Sequence, residues 1–219
     1  MMSTMRPMPG TVAQRFVPTD RPLERIGRCV TGLLVFGLGI TLLIESDLGA
    51  APWDVFHTGV TELTGISTGT VIIATGVLLL LLWIPLREQP GLGTVLNAVL
   101  IGLVVDLTEP MVAQPTGLVV RTSMMLGGVV LIAIGSGCYI GAGLGPGPRD
   151  GLMTGLANQT VIGRRISIRA ARTFVELTVL AIGIALGGAI GIGTAVFAFG
   201  IGPLVQRFLP VLSMSEQSG

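Results

Sequence analysis

The chain contains one distinctive segment twice, and that duplication constrains the whole fold. Residues 48–54 read Leu-Gly-Ala-Ala-Pro-Trp-Asp, and residues 144–150, 96 positions later, read Leu-Gly-Pro-Gly-Pro-Arg-Asp. On the N-terminal side, Gly39 corresponds to Gly135 at the same offset. Beyond the segment, four extra residues enter the second copy, so that Gly93 corresponds to Gly193 at an offset of 100. A duplicated hydrophobic unit with paired Gly, Pro and Asp is typical of small membrane transporters.

The composition predicts a protein surrounded by lipid. Of the 219 residues, 50% are hydrophobic and only 11% are charged, whereas soluble domains carry about 25% charged residues. The net charge of +1 gives no reason to expect nucleic acid as a partner. Cys29 and Cys138 do not correspond in the repeat, so they are interpreted as packing residues. No cluster has metal-ligand spacing and the single His57 has no nearby nucleophile, so we expect no metal, no cofactor and no enzyme.

Hydrophobic length predicts an all-α polytopic membrane protein with six transmembrane helices. Two short helices of about 11 residues follow the repeated loops; they are too short to span, so they are re-entrant or interfacial. The domain organisation is a disordered cytoplasmic tail at 1–24, membrane repeat 1 at 25–110, membrane repeat 2 at 111–210 and a short tail at 211–219. The predicted spans are 26–44, 70–86, 94–107, 122–140, 174–188 and 194–209.

The arginines predict the orientation. Basic residues stay on the cytoplasmic side, and the arginine-rich regions all lie there if both termini are cytoplasmic. Arg121 is the exception, and we expect it to snorkel at the outer interface. Three spans per repeat then place the two Asp loops on opposite sides of a bacterial inner membrane. The sequence therefore predicts two inverted three-helix repeats, an arrangement suited to alternating access.

The paired loops supply the main candidate residues. Gly49 and Gly145 are expected to form backbone turns, and Pro52 and Pro148 suit a first helical turn. Asp54 and Asp150 then lie near the positive end of a helix dipole. Two interpretations stay open for these aspartates. They either cap their helices, or they face a cavity and contact a solute, a proton or a cation.

Three further polar positions are candidates. Glu176 is a carboxylate within a predicted span, which is a functional candidate because burying it is costly; the alternative is an ion pair with Arg172, one turn earlier. Asn97 lies on the third span and either bonds across helices or binds a ligand. Trp53 in the first copy is replaced by Arg149 in the second, which favours an anionic or zwitterionic solute at the second loop.

The chain resembles the YczE/YyaS/YitT group of bacterial integral membrane proteins, and most of all its YczE-like branch. The resemblance rests on the segments at 48–57, 90–94 and 145–153, and it extends over about 25–209. It implies a multi-spanning inner-membrane protein and brings no established substrate.

We therefore expect a small-solute transporter or permease, with the lipid bilayer and an unidentified solute as partners; a homodimer is left open. The alternative is a non-transporting membrane protein that stabilises or regulates a partner protein. A polar, water-accessible cavity between the repeats would favour the transporter over the alternative.

Overall fold

The fold is an assembly of helices, described by a computed structural model. It describes residues 16, 20–113, 115–158, 160–161, 164–165 and 167–214. The helices are α1 (Pro22–Glu45), α2 (Pro52–Thr64), α3 (Thr68–Leu86), α4 (Leu92–Thr108), α5 (Leu118–Gly141), α6 (Pro148–Asn158), α7 (Ile168–Ala185) and α8 (Ile192–Leu212). A 3-10 turn follows α4 at Glu109–Met111, and the two-residue strands β1 (Thr160–Val161) and β2 (Arg164–Arg165) pair antiparallel before α7.

Five of these helices are long and apolar enough to cross a membrane: α1, α3, α4 with its 3-10 turn, α5 and α8. Helix α7 corresponds to the predicted span 174–188 but begins earlier, because Ser167 accepts a hydrogen bond from the Ala170 N–H at its start, 3.1 Å. Its 18 residues include Arg169, Arg172 and Glu176. The chain is thus a helical membrane protein, and α7 as a sixth span stays a prediction.

The predicted terminal tails lie largely outside the described residues. Of residues 1–24, only Phe16 and 20–24 are described, and α1 already begins at Pro22. Of residues 211–219, only 211–214 are described, and α8 continues to Leu212.

Helices α1 and α5 pack against each other at the centre of the molecule, and glycines make this contact close. A Cβ on Gly32 would lie 2.9 Å from the Gly135 carbonyl oxygen, and a Cβ on Gly39 would lie 2.8 Å from the Gly128 carbonyl oxygen. Residue numbers rise along α1 as they fall along α5, so the two helices run antiparallel. Gly128 is the repeat equivalent of Gly32, and Gly135 is the repeat equivalent of Gly39, each at the offset of 96. Gly32 therefore contacts the equivalent of Gly39, and Gly39 contacts the equivalent of Gly32.

The loops of each copy are also hydrogen-bonded to the other copy. The Gly93 N–H donates to the Leu144 carbonyl, and the Gly193 N–H donates to the Leu48 carbonyl, each at 2.7 Å. Across the two copies, α2 packs on α7 and α6 packs on α3. Within each copy, α1 packs on α4 and α5 packs on α8. Each copy is therefore completed by contacts with the other.

One contact is not repeated. Helix α3 packs along α4, but α7 makes little contact with α8. On the first side, Asp106 of α4 accepts hydrogen bonds from the Gly69 N–H at 2.7 Å and from the hydroxyls of Ser67 and Thr70 at the start of α3. The second copy has Gln206 at the equivalent position. The gap between α7 and α8 opens the interior of the molecule on that side.

Candidate functional site

A central cavity of about 240 Å³ lies where the N-terminal ends of α2 and α6 approach each other. Helices α1, α4, α5, α7 and α8 complete its walls, and the gap between α7 and α8 forms part of it. Most of the side chains predicted as site residues line this cavity: Trp53, Asn97, Arg149, Asp150 and Glu176. Pro52 also lines it, next to Trp53.

Tight turns at the two glycines position the short helices. Gly49 has φ of +109° and Gly145 has φ of +113°, a conformation that favours glycine. A Cβ on Gly145 would lie 2.7 Å from the Thr94 hydroxyl, so the turn also needs the space. Pro52 and Pro148 follow as the first residues of α2 and α6, as the sequence predicted. The Trp83 indole of α3 donates to the Pro148 carbonyl at 3.0 Å and fixes the start of α6.

Arg149 lies between two aromatic rings. Its guanidinium carbon is 5.9 Å from the centre of the Phe36 ring and 5.8 Å from the centre of the Trp53 ring, which is cation–π distance. No ion pair joins Arg149 to a carboxylate in the described part of the chain. Its N–H donors therefore remain open to a bound anion.

Asp150 is exposed to the cavity, one residue after Arg149. Its carboxylate accepts a hydrogen bond from the Tyr139 hydroxyl at 3.2 Å. Tyr139 is itself buried in the core between α1 and α5, where it packs edge-on against Phe36. The aromatic pair thus supports both charged groups of the second loop. Neither Tyr139 nor Phe36 was predicted as a site residue, although Tyr139 is the only tyrosine in the chain.

Asp54, the equivalent of Asp150, has a different environment. It is only 2% exposed and lies outside the central cavity, on an adjoining side pocket of about 30 Å³ that Trp53, Asn97 and Arg149 also line. His57 Nδ1 donates to the Asp54 carboxylate at 3.1 Å. The spacing of three residues on a helix could have revealed this pair, because such residues are neighbours on a helix surface.

The side-chain hydrogen bonds of the two aspartates bear on the capping interpretation. Among the described residues, the carboxylates of Asp54 and Asp150 accept hydrogen bonds from His57 and Tyr139 side chains, and none is recorded from the backbone of their own helices. Their place in the first helical turn still suits the helix dipole. The geometry therefore favours contact with other groups over capping.

Glu176 forms the expected pair with Arg172 and also lines the central cavity. It accepts a hydrogen bond from Arg172 Nε at 3.0 Å, the pair predicted from spacing, and both residues line the central cavity. The side chains of Glu176 and Arg172 are 33% and 53% exposed. Asn97 is 8% exposed and lines both the central cavity and the side pocket.

Comparison with known sequences identifies the family. The family of unknown function DUF6198 matches residues 23–210. The chain belongs to this family. It is 36% identical to an uncharacterized protein of Haemophilus influenzae over 83% of this chain and 81% of that protein. It is 36% identical to the uncharacterized membrane protein YczE of Bacillus subtilis over 82% of each chain. It is 31% identical to the uncharacterized protein YyaS of the same organism over 83% of this chain and 90% of that protein.

These relatives confirm the resemblance drawn from the paired loops, and YczE supports the assignment as a membrane protein. No solved structure matches the chain.

Proposed function

We propose that the protein is a small-solute transporter of the bacterial inner membrane that works by alternating access between two inverted repeats. The observation that carries this proposal is the central cavity, where the ends of two equivalent short helices present Trp53 on one side and Arg149 with Asp150 on the other. Solute sites in transporters with inverted repeats lie at the repeat interface, at the ends of interrupted helices.

The exchanged contacts support the inverted arrangement. Equivalent helices α1 and α5 are antiparallel, so a two-fold axis relating them must run perpendicular to both, which is in the membrane plane. With cytoplasmic termini, the Asp54 loop faces outward and the Asp150 loop faces inward. The packed α3–α4 pair then closes the outer side and the α7–α8 gap opens the inner side, which corresponds to an inward-facing state.

The charges of the cavity favour an anionic or zwitterionic solute. Arg149 has no carboxylate partner in the described part of the chain, and the positive ends of two helix dipoles point toward the same region. Asp150 lies beside it and can receive a positive group. Inside a protein these charges act more strongly than at a surface.

An uptake screen in proteoliposomes tests the proposal. Labelled monocarboxylates, amino acids and phosphate esters are offered to the reconstituted protein, and at least one class should accumulate. Arg149→Gln and Asp150→Asn should each abolish that uptake. Arg207→Gln provides the matched control, because Arg207 is exposed on α8 and does not line the cavity.

Uptake that survives Asp150→Asn would contradict the assigned role of the aspartate. If no class of solute is taken up, the result would favour the alternative function, a membrane protein that stabilises or regulates a partner protein.

A further inference from the structure

Three buried polar atoms on one face of α2 have no hydrogen-bond partner in the described part of the chain. They are Trp53 Nε1, His57 Nε2 and Thr61 Oγ1. Successive members are four residues apart, so they form a row along the helix. Buried polar groups are nearly always hydrogen-bonded, and a row of three without partners requires an explanation.

The three residues of the row line three successive cavities. Trp53 lines the central cavity, and His57 lines the side pocket, whose volume is sufficient for a water molecule. Thr61 lines a third cavity of about 680 Å³. We call this third cavity the acidic vestibule, because its lining includes Glu45, Asp47, Glu62 and Glu109. The polar face of α2 therefore leads from the acidic vestibule to the central cavity.

The middle of the row is a base with a counter-charge. His57 Nδ1 donates to Asp54, so in the neutral ring Nε2 carries a free lone pair. A proton taken up at Nε2 makes the ring cationic, and the Asp54 carboxylate beside it supplies the opposite charge. An imidazole nitrogen favours a proton over a hard cation such as Ca²⁺ or Mg²⁺, which takes oxygen ligands.

We propose that Asp54 and His57 form a proton-binding site, and that the polar face of α2 carries protons to it from the acidic vestibule. The proton then serves as the coupling ion of the transporter, so this inference rests on the proposed function.

The second copy lacks this path. The residues equivalent to Trp53, His57 and Thr61 are Arg149, Met153 and Ala157, and neither Met153 nor Ala157 can relay a proton. Proton access is therefore built into one side of the molecule only. The path is therefore specific to α2 and is not a property that both copies share.

Few other charges face the Asp54–His57 pair. Helix α3 contributes Ile72, Thr75 and Leu79 to the side pocket, and α4 contributes Asn97, none of which is charged. Helix α6 contributes the Arg149 cation to the side pocket. Helix α7 places Arg172 and Glu176 on the central cavity instead. Arg149 is thus the charge that a proton on His57 would meet, and this links proton binding to the solute site.

The test uses the single histidine of the chain. Full-length protein labelled with ¹⁵N-histidine is reconstituted in liposomes, and the imidazole signal is recorded by solid-state NMR between about pH 5 and 8. We expect a reversible change between the neutral and the charged ring. A ring that keeps one form throughout this range overturns the proposal, and the wild-type protein alone decides this point.

The path is tested by the exchange of the imidazole N–H with water. Thr61→Val, which removes the hydroxyl at nearly constant shape, should slow this exchange roughly tenfold, the factor that corresponds to the loss of one hydrogen bond to a water in the path. Thr64→Val is the matched control, because the Thr64 hydroxyl is bonded to the Val60 carbonyl and the residue is exposed. Equal exchange in the two variants overturns the path. Neither measurement needs a solute, so their failure is distinct from a negative uptake screen.

Discussion

Arg25 and Arg121, which stand 96 residues apart, make the same contact at opposite ends of the α1–α5 pair. Arg25 Nη1 donates to the Ala142 carbonyl at 2.8 Å, just beyond the end of α5, and Arg121 Nε donates to the Ser46 carbonyl at 2.9 Å, just beyond the end of α1. Ser46 and Ala142 are themselves 96 residues apart. Each arginine also pairs with an aspartate, Arg25 with Asp20 and Arg121 with Asp47. The guanidinium of Arg25 lowers the pKa of the Asp20 carboxyl by donating a hydrogen bond to it.

This contact gives a structural role to Arg121, the one arginine that does not fit the predicted cytoplasmic side. Its expected position at the outer interface stays a prediction; in the structure it bonds to the Ser46 carbonyl at the end of the equivalent helix α1. Positive side chains stabilise helix C-terminal ends, where backbone carbonyls lack partners.

Loss of these bonds should destabilise the protein unequally. Arg25→Gln should lower the free energy of unfolding by about 2 kcal/mol, because a hydrogen bond from a charged group is removed in a buried setting. Arg121→Gln should cost less, since its side chain is 29% exposed against 5% for Arg25. Thermal unfolding in detergent measures both. A larger loss for Arg121→Gln would contradict the ranking.

Two adjacent glycines of α5 should respond differently to the same substitution. A Cβ on Gly128 would lie 2.7 Å from the Gly39 carbonyl oxygen, whereas nothing lies within 4 Å of a Cβ on Gly127. Gly128→Ala should therefore separate α1 from α5 and sharply reduce the yield of folded protein, and Gly127→Ala should be tolerated. Size-exclusion profiles and melting temperatures compare the two. Equal behaviour would rule out close α1–α5 packing.

The two short helices should end on opposite sides of the membrane. Glu62 and Asn158 are equivalent at an offset of 96, and both are exposed. In a background with Cys29 and Cys138 replaced by alanine, Glu62→Cys should react with an impermeant thiol reagent from outside. Asn158→Cys should react only after the membrane is opened. Labelling of both from one side would exclude the inverted topology.

Asp106 should hold α3 against α4. Asp106→Gln, which copies the second repeat, should loosen this contact because the longer side chain cannot keep all three hydrogen bonds. Spin labels on the exposed residues Leu78 and Leu103 should then report a broader distance distribution. Asp106→Asn is the control, since its carbonyl oxygen can still accept from the Gly69 N–H. An unchanged distribution in Asp106→Gln would show that the packing does not depend on this residue.

Glu176 should matter for transport more than for stability. Its pair with Arg172 is partly exposed, and such pairs contribute at most about 1 kcal/mol. Glu176→Gln should therefore leave the melting temperature nearly unchanged while it lowers uptake of the solute found in the screen. A large loss of stability with normal uptake would make the pair structural.

Much of the architecture could be predicted from the sequence because its main motifs occur twice. The offset of 96 aligned the Gly and Pro turns, and the prolines placed the starts of α2 and α6 through their fixed backbone geometry. The i,i+4 spacing also predicted the Arg172–Glu176 pair. These are local properties, set by residues a few positions apart.

The site required long-range contacts that no local pattern contains. Tyr139 reaches Asp150, and Phe36 reaches Arg149, only because α1 and α5 pack closely at their glycines. Equivalent aspartates also diverged, since Asp54 is buried beside His57 while Asp150 faces the cavity. The sequence by itself determined the membrane class, the duplication and the turns, through composition and spacing. Only the tertiary structure decided which side chains meet and which side of the repeat stands open, because burial and separation depend on how whole helices pack.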